Sequence, residues 1–378
     1  MNFFGPTEKG VFLRRPNRFV VVCQFNGKTI KAFLPNPGRL WELLLPGAVL
    51  FLEKSFQPER KLPYTVVAIE REGRPVMAHT HRTNDLVEHL LRNGMVPQLK
   101  GVEIVKREAQ HKNSRFDFLL KRGEEEIFLE VKSCTLFGKN VAMFPDAVTA
   151  RGKRHVEELA EMKDHGKYGA VVFLICWPKA NFFMPDYHTD LEFSKTMLAV
   201  KERVTFLPVG LELNPDLSLN SKVRMLEIPW NVLQKEVEDR GSYILILRLR
   251  RARTLNLGKL GRVKFKAGYY LYAGSALENL TQRLERHKRE RKTLFWHIDY
   301  LRAHAEVHLA LPIRASDPLE CELADALKRI SEWEIPGFGC SDCSCSSHLY
   351  GMSKDPIHTP EFISLLQYFR MDRLFVQE

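Results

Sequence analysis

Apolar and polar positions in the first eighty residues alternate in short runs broken by turn residues, a pattern that predicts strands rather than helices. Residues 19–23 (FVVVC) form one run, Asn26-Gly27 is a two-residue hairpin turn, and 29–34 is the return strand. Pro35-Asn36-Pro37-Gly38 ends that pair, Pro46-Gly47 marks another turn before 48–52, and 64–70 and 76–80 continue the pattern. Several short strands with regular turns predict a small OB-like β-barrel over residues 1–82. From Thr83 the period lengthens. Leu86, Leu90 and Leu91 space a helix over 84–92. Strands are expected at 102–108, 115–120 and 127–131, then a long helix over 151–165 and a buried strand at 170–176. Further strand-like runs sit at 204–211 and 225–228. This βββαβ order predicts an α/β sandwich of the restriction-endonuclease type over 83–228. Residues 229–240 read as a helical connector ending in Gly241. A third unit over 241–378 is expected to hold strands at 243–249, 263–265 and 269–272, and a helix or pair of turns within 275–292. Helices follow at 296–303 and 319–330, then a Gly/Ser/Cys loop over 336–349 and a last helix over 360–369.

Charge adds a partner class to this outline. The 378 residues carry 57 Lys and Arg against 46 Asp and Glu, a formal net charge of +11. That excess favours a polyanion, nucleic acid first, although a merely basic protein has the same composition. The basic residues gather in predicted loops: Arg14, Arg15 and Arg18, with the polar Asn17 among them, before the first apolar run, Arg39 after the Pro-Gly turn, and Arg60 and Lys61 before another strand. Basic loops on a small barrel suit a nucleic-acid groove, and a solvated surface is the alternative. In the third unit the run from Arg248 to Lys266 holds no acid, and the basic helix NLTQRLERH carries Arg286 and His287. The seven cysteines are an odd, sparse set, and MNFFGPTEKG lacks a signal-peptide pattern, so a reducing cytoplasm is expected. No run is apolar enough to predict a membrane span, and a homo-oligomer is compatible with the sequence.

The stretch from Ser114 to His155 carries the chemistry. Asp117 stands between Phe116 and Phe118, and Glu130 and Lys132 flank Val131 at the end of an apolar run. Strand alternation puts Glu130 and Lys132 on one face. Two carboxylates and a lysine are what metal-assisted phosphodiester cleavage requires: the acids hold Mg²⁺ or Mn²⁺, and the lysine stabilises charge or positions water. Glu108 offers a third carboxylate. Asp146, Arg151, Lys153 and His155 precede or open the following helix, where basic groups beside free N–H donors suit phosphate; capping and a solvated first turn would look the same. Near the C-terminus, Cys340, Cys343, Cys345 and His348 make a C-x2-C-x-C-x2-H cluster fit for Zn²⁺, with a tightly packed loop as the alternative. Cys321 is a further thiol that nothing in the sequence places nearby.

The segments NSRFDFLL, FLEVKS and FPDAVTARGKRHVEEL, with RRPNRFVV, the PNPGR turn, RKLPY and the Thr83-Asn84 region, resemble the sugar fermentation stimulation protein A (SfsA) family over about residues 10–225. That resemblance implies an OB-like domain and a PD-(D/E)xK nuclease-like domain that binds DNA. It implies Asp117, Glu130 and Lys132 as the catalytic core, with Glu108 as accessory acid. Gln110-His111-Lys112 departs from a Tyr-Gly common in the family. Residues 240–352 resemble the DUF123 or Uri-like branch of the GIY-YIG nucleases through GSY, YYLYAGSA, NLTQRLERH, WHIDYL, ECELADAL and GFGCSDCSCSSHLYG. There the resemblance implies Tyr243 and Tyr272 as base or water-orienter, Arg283 on phosphate, and Glu320 or Glu322 on a metal ion, Glu320 being preferred. The gap between the two tyrosine motifs is longer than that family's usual one. The combined expectation is a metal-dependent nuclease acting on DNA or RNA with a second nuclease-like module. Its rival is a non-enzymatic DNA-binding regulator of sugar-metabolism genes.

Overall fold

The computed structural model describes residues 3–55, 61–112, 114–291 and 293–375. Arg60 and Lys292 lie outside the described residues. The chain divides into two compact units, Met1–Trp230 and Asn231–Glu378.

In the first unit six strands come first: β1 (Thr7–Asn17), β2 (Val20–Phe25), β3 (Lys28–Phe33), β4 (Val49–Lys54), β5 (Tyr64–Arg71) and β6 (Arg74–Met77). Their order is β3-β2-β1-β4-β5-β6, and a β3–β5 pairing at Phe33 and Thr65 closes five of them into a barrel. Asn26 and Gly27 both take positive φ, as the tight β2–β3 turn demands. Strand β1 is absent from the sequence reading. Its register shifts around Arg14 blur the alternation, and Val11 and Leu13 face solvent.

Helix α1 (Thr83–Arg92) leads to a second six-stranded sheet. Strands β7 (Glu103–His111), β8 (Ser114–Arg122) and β9 (Glu125–Cys134) form an antiparallel meander, and β10 (Leu136–Phe137) and β11 (Val141–Phe144) follow. Helix α2 (Ala150–Glu161) then crosses to β12 (Tyr168–Ile175), which pairs parallel with β9. The rest is β13 (Phe182–Pro185), α3 (Leu191–Ala199), β14 (Val204–Gly210) and β15 (Arg224–Met225), giving the order β15-β14-β12-β9-β8-β7. The predicted strand–strand–strand–helix–strand succession is present; β13 and α3 are additions to it.

The barrel is not an appended bead. Phe25, Leu34 and Leu50 of the barrel belong to the same buried cluster as Phe116, Phe128, Val156, Leu159 and Phe173. Each such side chain contributes roughly 1.5–3 kcal/mol on leaving water. Helix α1 covers the other sheet face through Leu86, Val87, Leu90 and Leu91, packed with Phe118, Leu129 and Val131. The carboxylate-bearing β8–β9 hairpin is therefore clamped from both sides.

Helix α4 (Trp230–Glu236) falls at the division between units. In the second unit β16 (Gly241–Leu249), the hairpin β17 (Arg253–Asn256) and β18 (Arg262–Phe265), and β19 (Gly268–Ala276) precede α5 (Leu280–Lys288) and α6 (His297–Arg302). Strand β20 (Glu306–Arg314), α7 (Glu320–Ile330), β21 (Trp333–Glu334), β22 (Leu349–Met352) and α8 (Pro360–Arg370) complete it. The sheet order is β20-β16-β19-β22-β21. Strand β20, which the sequence reading lacks, lies at the sheet edge, where its Pro312 costs no ladder bond on the open side. No helix among the described residues is long and apolar enough to cross a membrane, and all seven cysteines are free.

Candidate functional site

The β8–β9 hairpin brings Asp117 beside the Glu130–Lys132 stretch. Asp117 Oδ2 accepts the Val131 backbone N–H at 2.7 Å, and its Oδ1 accepts Asn84 Nδ2 from the start of α1 at 2.7 Å. Glu130 is only 4% exposed. Lys132 Nζ donates to Glu130 Oε1, and His155 Nδ1 lies 2.8 Å from the same oxygen. His155 Nε2 accepts Arg151 Nε–H at 3.3 Å, which leaves Nδ1 facing Glu130. Burial first, and then the neighbouring Glu130 charge, hold the Asp117 carboxyl above its ordinary range, against the Val131 and Asn84 hydrogen bonds. Burial also pushes Glu130 up, but the hydrogen bond from His155 and the charge of Lys132 outweigh it and leave Glu130 below the ordinary range.

One carboxylate oxygen in this cluster lacks what burial demands. Glu130 Oε2 is buried with no hydrogen-bond partner among the described residues. A buried carboxylate oxygen left so is costly, and an oxygen-seeking divalent cation satisfies it. The donor set fits such an ion: two carboxylates on adjacent strands, with a lysine and a histidine already on the opposite oxygen of Glu130.

Several residues expected at the site stand elsewhere. Glu108 takes φ 51° on β7, is exposed, and pairs with Arg115 at 3.1 Å, so its carboxylate faces solvent rather than joining the cluster. His155 is 1% exposed and serves Glu130, so it is not a nucleic-acid contact. Arg15 is not one either. Its guanidinium donates to the carbonyls of Arg18, Asn36, Gly38 and Arg39 and holds the PNPGR turn in shape. Arg18 is exposed beside Phe19, and the Arg39 guanidinium lies 5.0 Å above the Trp41 ring. Arg151 is exposed at the start of α2, and Lys153 pairs with Glu157 and Glu192 on its surface. The sequence reading missed the roles of Asn84 and His155. Their only signal was membership of motif segments, because each acts across a distance in sequence.

Asp146 bolts the barrel to the hairpin domain: its Oδ2 accepts the Leu40 N–H at 2.9 Å. Burial raises Asp146 to about 6 and, with Asp146 as neighbour, raises Glu42 to about 8. A carboxyl whose folded pKa is raised stabilises the fold while protonated, and that stability is lost as pH climbs from the unfolded pKa through the folded one. Unfolding free energy is therefore expected to fall by about 6 kcal/mol between pH 4.5 and 8 through this pair. Glu42→Gln should flatten that slope in denaturant titrations at stepped pH; an unchanged slope would refute the assignment.

In the second unit Tyr243, Tyr272, Arg283 and Glu320 line one cleft of about 400 Å³, with Ser275, Trp296, His297 and Asp342. Glu322 is exposed and outside that lining, so of the two glutamates it is Glu320 that faces the tyrosines. Tyr243 Oη lies 2.9 Å from His287 Nε2, and Arg283 lies 4.5 Å over the Trp296 ring. Burial drives both tyrosines well up, so they stay neutral phenols. His287, fully buried, and Arg286, bound to buried Asp299, are internal struts rather than nucleic-acid contacts. Gly274 stands opposite Tyr243 in the sheet, and a Cβ there would meet the Tyr243 ring at 2.5 Å. Gly274→Ala is expected to cost about 1–3 kcal/mol by overpacking. It should displace Tyr243 from His287, which calorimetry and tyrosine fluorescence would register.

The Cys/His cluster differs from its sequence reading. Cys321, Cys343, Cys345 and His348 come together, their ligand atoms all within 4.8 Å of one another; Cys340 is not in the group. Cys321 opens α7, whose N-terminus packs against the 343–348 loop, a proximity that sequence spacing cannot express.

The fold and these sites define a class: an OB barrel built into an α/β domain with a buried acid–lysine cluster, followed by a separate α+β unit. Family models agree in register. The SfsA N-terminal OB domain matches residues 13–78, and the sugar fermentation stimulation protein RE domain matches 81–217. A domain of unknown function, DUF123, matches 242–370. A sugar fermentation stimulation protein homolog of Methanothermobacter thermautotrophicus is 37% identical over 228 residues, covering 59% of this chain and 93% of the relative. One from Methanosphaera stadtmanae is 38% identical over 236 residues, 60% of this chain and 97% of the relative. The solved structure of Pyrococcus furiosus SfsA in complex with Ca²⁺ superposes with a TM-score of 0.55 at 28% identity, covering 60% of this chain and 99% of that one. The chain belongs to the sugar fermentation stimulation protein family.

Proposed function

We propose that the first unit binds DNA and hydrolyses its phosphodiester bonds, with Mg²⁺ or Mn²⁺ held by Asp117 and Glu130, as a PD-(D/E)xK-type nuclease. The observation that carries this reading is the buried, unpartnered Oε2 of Glu130 beside Asp117 and Lys132. The related P. furiosus structure is a complex with Ca²⁺, which is in keeping with a hard-cation site. When bound, the ion supplies Lewis-acid stabilisation of the phosphate and lowers the pKa of its water. The chain's own residues do the rest. Asn84 and the Val131 N–H fix the Asp117 carboxylate, His155 and Lys132 keep Glu130 ionised, and Lys132 brings a positive charge for the phosphate oxygens. The nucleic acid is held by Arg18, Phe19, Arg39 and Trp41 of the barrel and by Arg151 and Lys153 at the start of α2, on a chain of net charge +11. We propose further that the second unit's cleft is a GIY-YIG-like phosphate site, with neutral Tyr243 and Tyr272 orienting water, Arg283 on phosphate and Glu320 as its acid.

The test is cleavage of labelled single- and double-stranded DNA and of RNA by the full chain, with Mg²⁺, Mn²⁺ or EDTA. Metal-dependent turnover supports the reading. Intact substrates under all metal conditions, with salt-sensitive DNA binding retained, would leave the non-enzymatic DNA-binding protein in its place.

A further inference from the structure

The second unit holds a metal-ligating cluster whose membership only the fold reveals. Cys321 Sγ, Cys343 Sγ, Cys345 Sγ and His348 offer four ligand atoms within 4.8 Å of one another. Cys343 Sγ lies 3.4 Å from His348 Nε2, close to the ligand–ligand edge of a tetrahedron with zinc–sulfur bonds near ~2.3 Å and zinc–nitrogen bonds near ~2.0 Å. The ring's other nitrogen is already committed: His348 Nδ1 lies 3.0 Å from Glu320 Oε1, and the imidazole is 2% exposed. A carboxylate on the distal nitrogen fixes ring orientation and leaves Nε2 free to ligate, which is the outer-shell arrangement of zinc histidines. Three soft thiolates and one imidazole select zinc over Mg²⁺, Ca²⁺ or Mn²⁺.

We infer that Cys321, Cys343, Cys345 and His348 bind one structural Zn²⁺ ion that staples the N-terminus of α7 to the 343–348 loop and, through His348, sets the Glu320 carboxylate in its cleft. The connectivity supports this role. Glu320 Oε1 takes His348, its Oε2 takes the Ser275 hydroxyl of β19, and the same glutamate lines the cleft with Tyr243, Tyr272 and Arg283. Gly339, Ser341 and Asp342 of the loop form part of the cleft wall, so tethering the loop also fixes that wall. The metal assignment stands whether or not the cleft cuts nucleic acid, because its readouts are composition and spectrum rather than cleavage.

The experiment uses the full chain purified under reducing conditions. Elemental analysis should give one zinc per chain. Exchange for Co²⁺ should produce sulfur-to-cobalt charge transfer and the intense visible bands of a tetrahedral site. Cys340→Ser should keep both signals, whereas Cys321→Ser should lose retained zinc by more than the ~10–100-fold expected of an outer-shell change such as Glu320→Gln. Circular dichroism distinguishes a folded Cys321→Ser chain from an unfolded one. If that variant does not fold, the wild-type cobalt spectrum and the Cys340→Ser control still decide. Absence of stoichiometric zinc, iron in its place, an octahedral cobalt spectrum, or zinc lost from Cys340→Ser but kept by Cys321→Ser would each overturn the inference.

Discussion

Glu130→Gln is expected to reduce metal-dependent DNA cleavage at least about 10³-fold while leaving the fold in place. The substitution keeps the shape of the side chain. The amide oxygen still accepts from His155 and Lys132, whose donors both lie on Glu130 Oε1. What is lost is the negative charge and the buried Oε2 that has no protein partner. Metal affinity and turnover should therefore fall together, with Mn²⁺ titration and single-turnover cleavage as the two readouts. Asp117→Asn should behave alike, because its two oxygens keep Asn84 and Val131 only in part and the site loses its second charge. Lys132→Met should instead spare metal affinity and lower turnover, since in the proposed mechanism its ammonium would serve the phosphate rather than the ion. Cleavage that survives both Asp117→Ala and Glu130→Ala would place the chemistry elsewhere on the chain.

Asp299→Ala should give the largest loss of stability, about 3–5 kcal/mol in the second unit. Its carboxylate is fully buried at the start of α6. It accepts two bonds from Arg286, at 3.0 and 2.8 Å, and the backbone N–H groups of Phe295 and Trp296 at 3.0 and 3.1 Å. Alanine would leave a partly buried guanidinium and two backbone donors without this acceptor, and each buried unsatisfied group costs about 1–3 kcal/mol. The damage should reach the cleft, because Trp296 carries the Arg283 guanidinium on its ring. Hydrogen exchange should rise in 280–303 with little change in the first unit. Equilibrium unfolding followed by fluorescence should show the second unit melting earlier. A loss below about 1 kcal/mol would contradict this account.

The acid–lysine pattern was legible because strand alternation is a local rule: Glu130 and Lys132 fall on one face whatever packs against them. The supporting residues were not legible. Asn84 reaches Asp117 across 33 residues and His155 reaches Glu130 across 25, by way of helices whose packing decides the encounter. Charge was misleading where burial intervened. Arg15, His155, Arg286 and His287 look like nucleic-acid contacts in the sequence, yet each is turned inward by hydrogen-bond partners that the fold supplies. Glu108 failed for the opposite reason: a positive φ turned an acid on the neighbouring strand away to solvent.

The sequence by itself determined the barrel, the strand–strand–strand–helix–strand succession around the site, the carboxylate–lysine motif and the family resemblance. All of these rest on periodicity, turn chemistry and motif spacing, which are properties of contiguous residues. Tertiary structure alone decided which atoms meet. It joined the barrel core to the hairpin domain, left Glu130 Oε2 unpartnered, chose Glu320 over Glu322 for the cleft, and put Cys321 in place of Cys340 among the clustered thiols. Such choices depend on how helices and loops distant in sequence pack against the sheets, and close packing leaves each side chain one set of neighbours that no local pattern encodes.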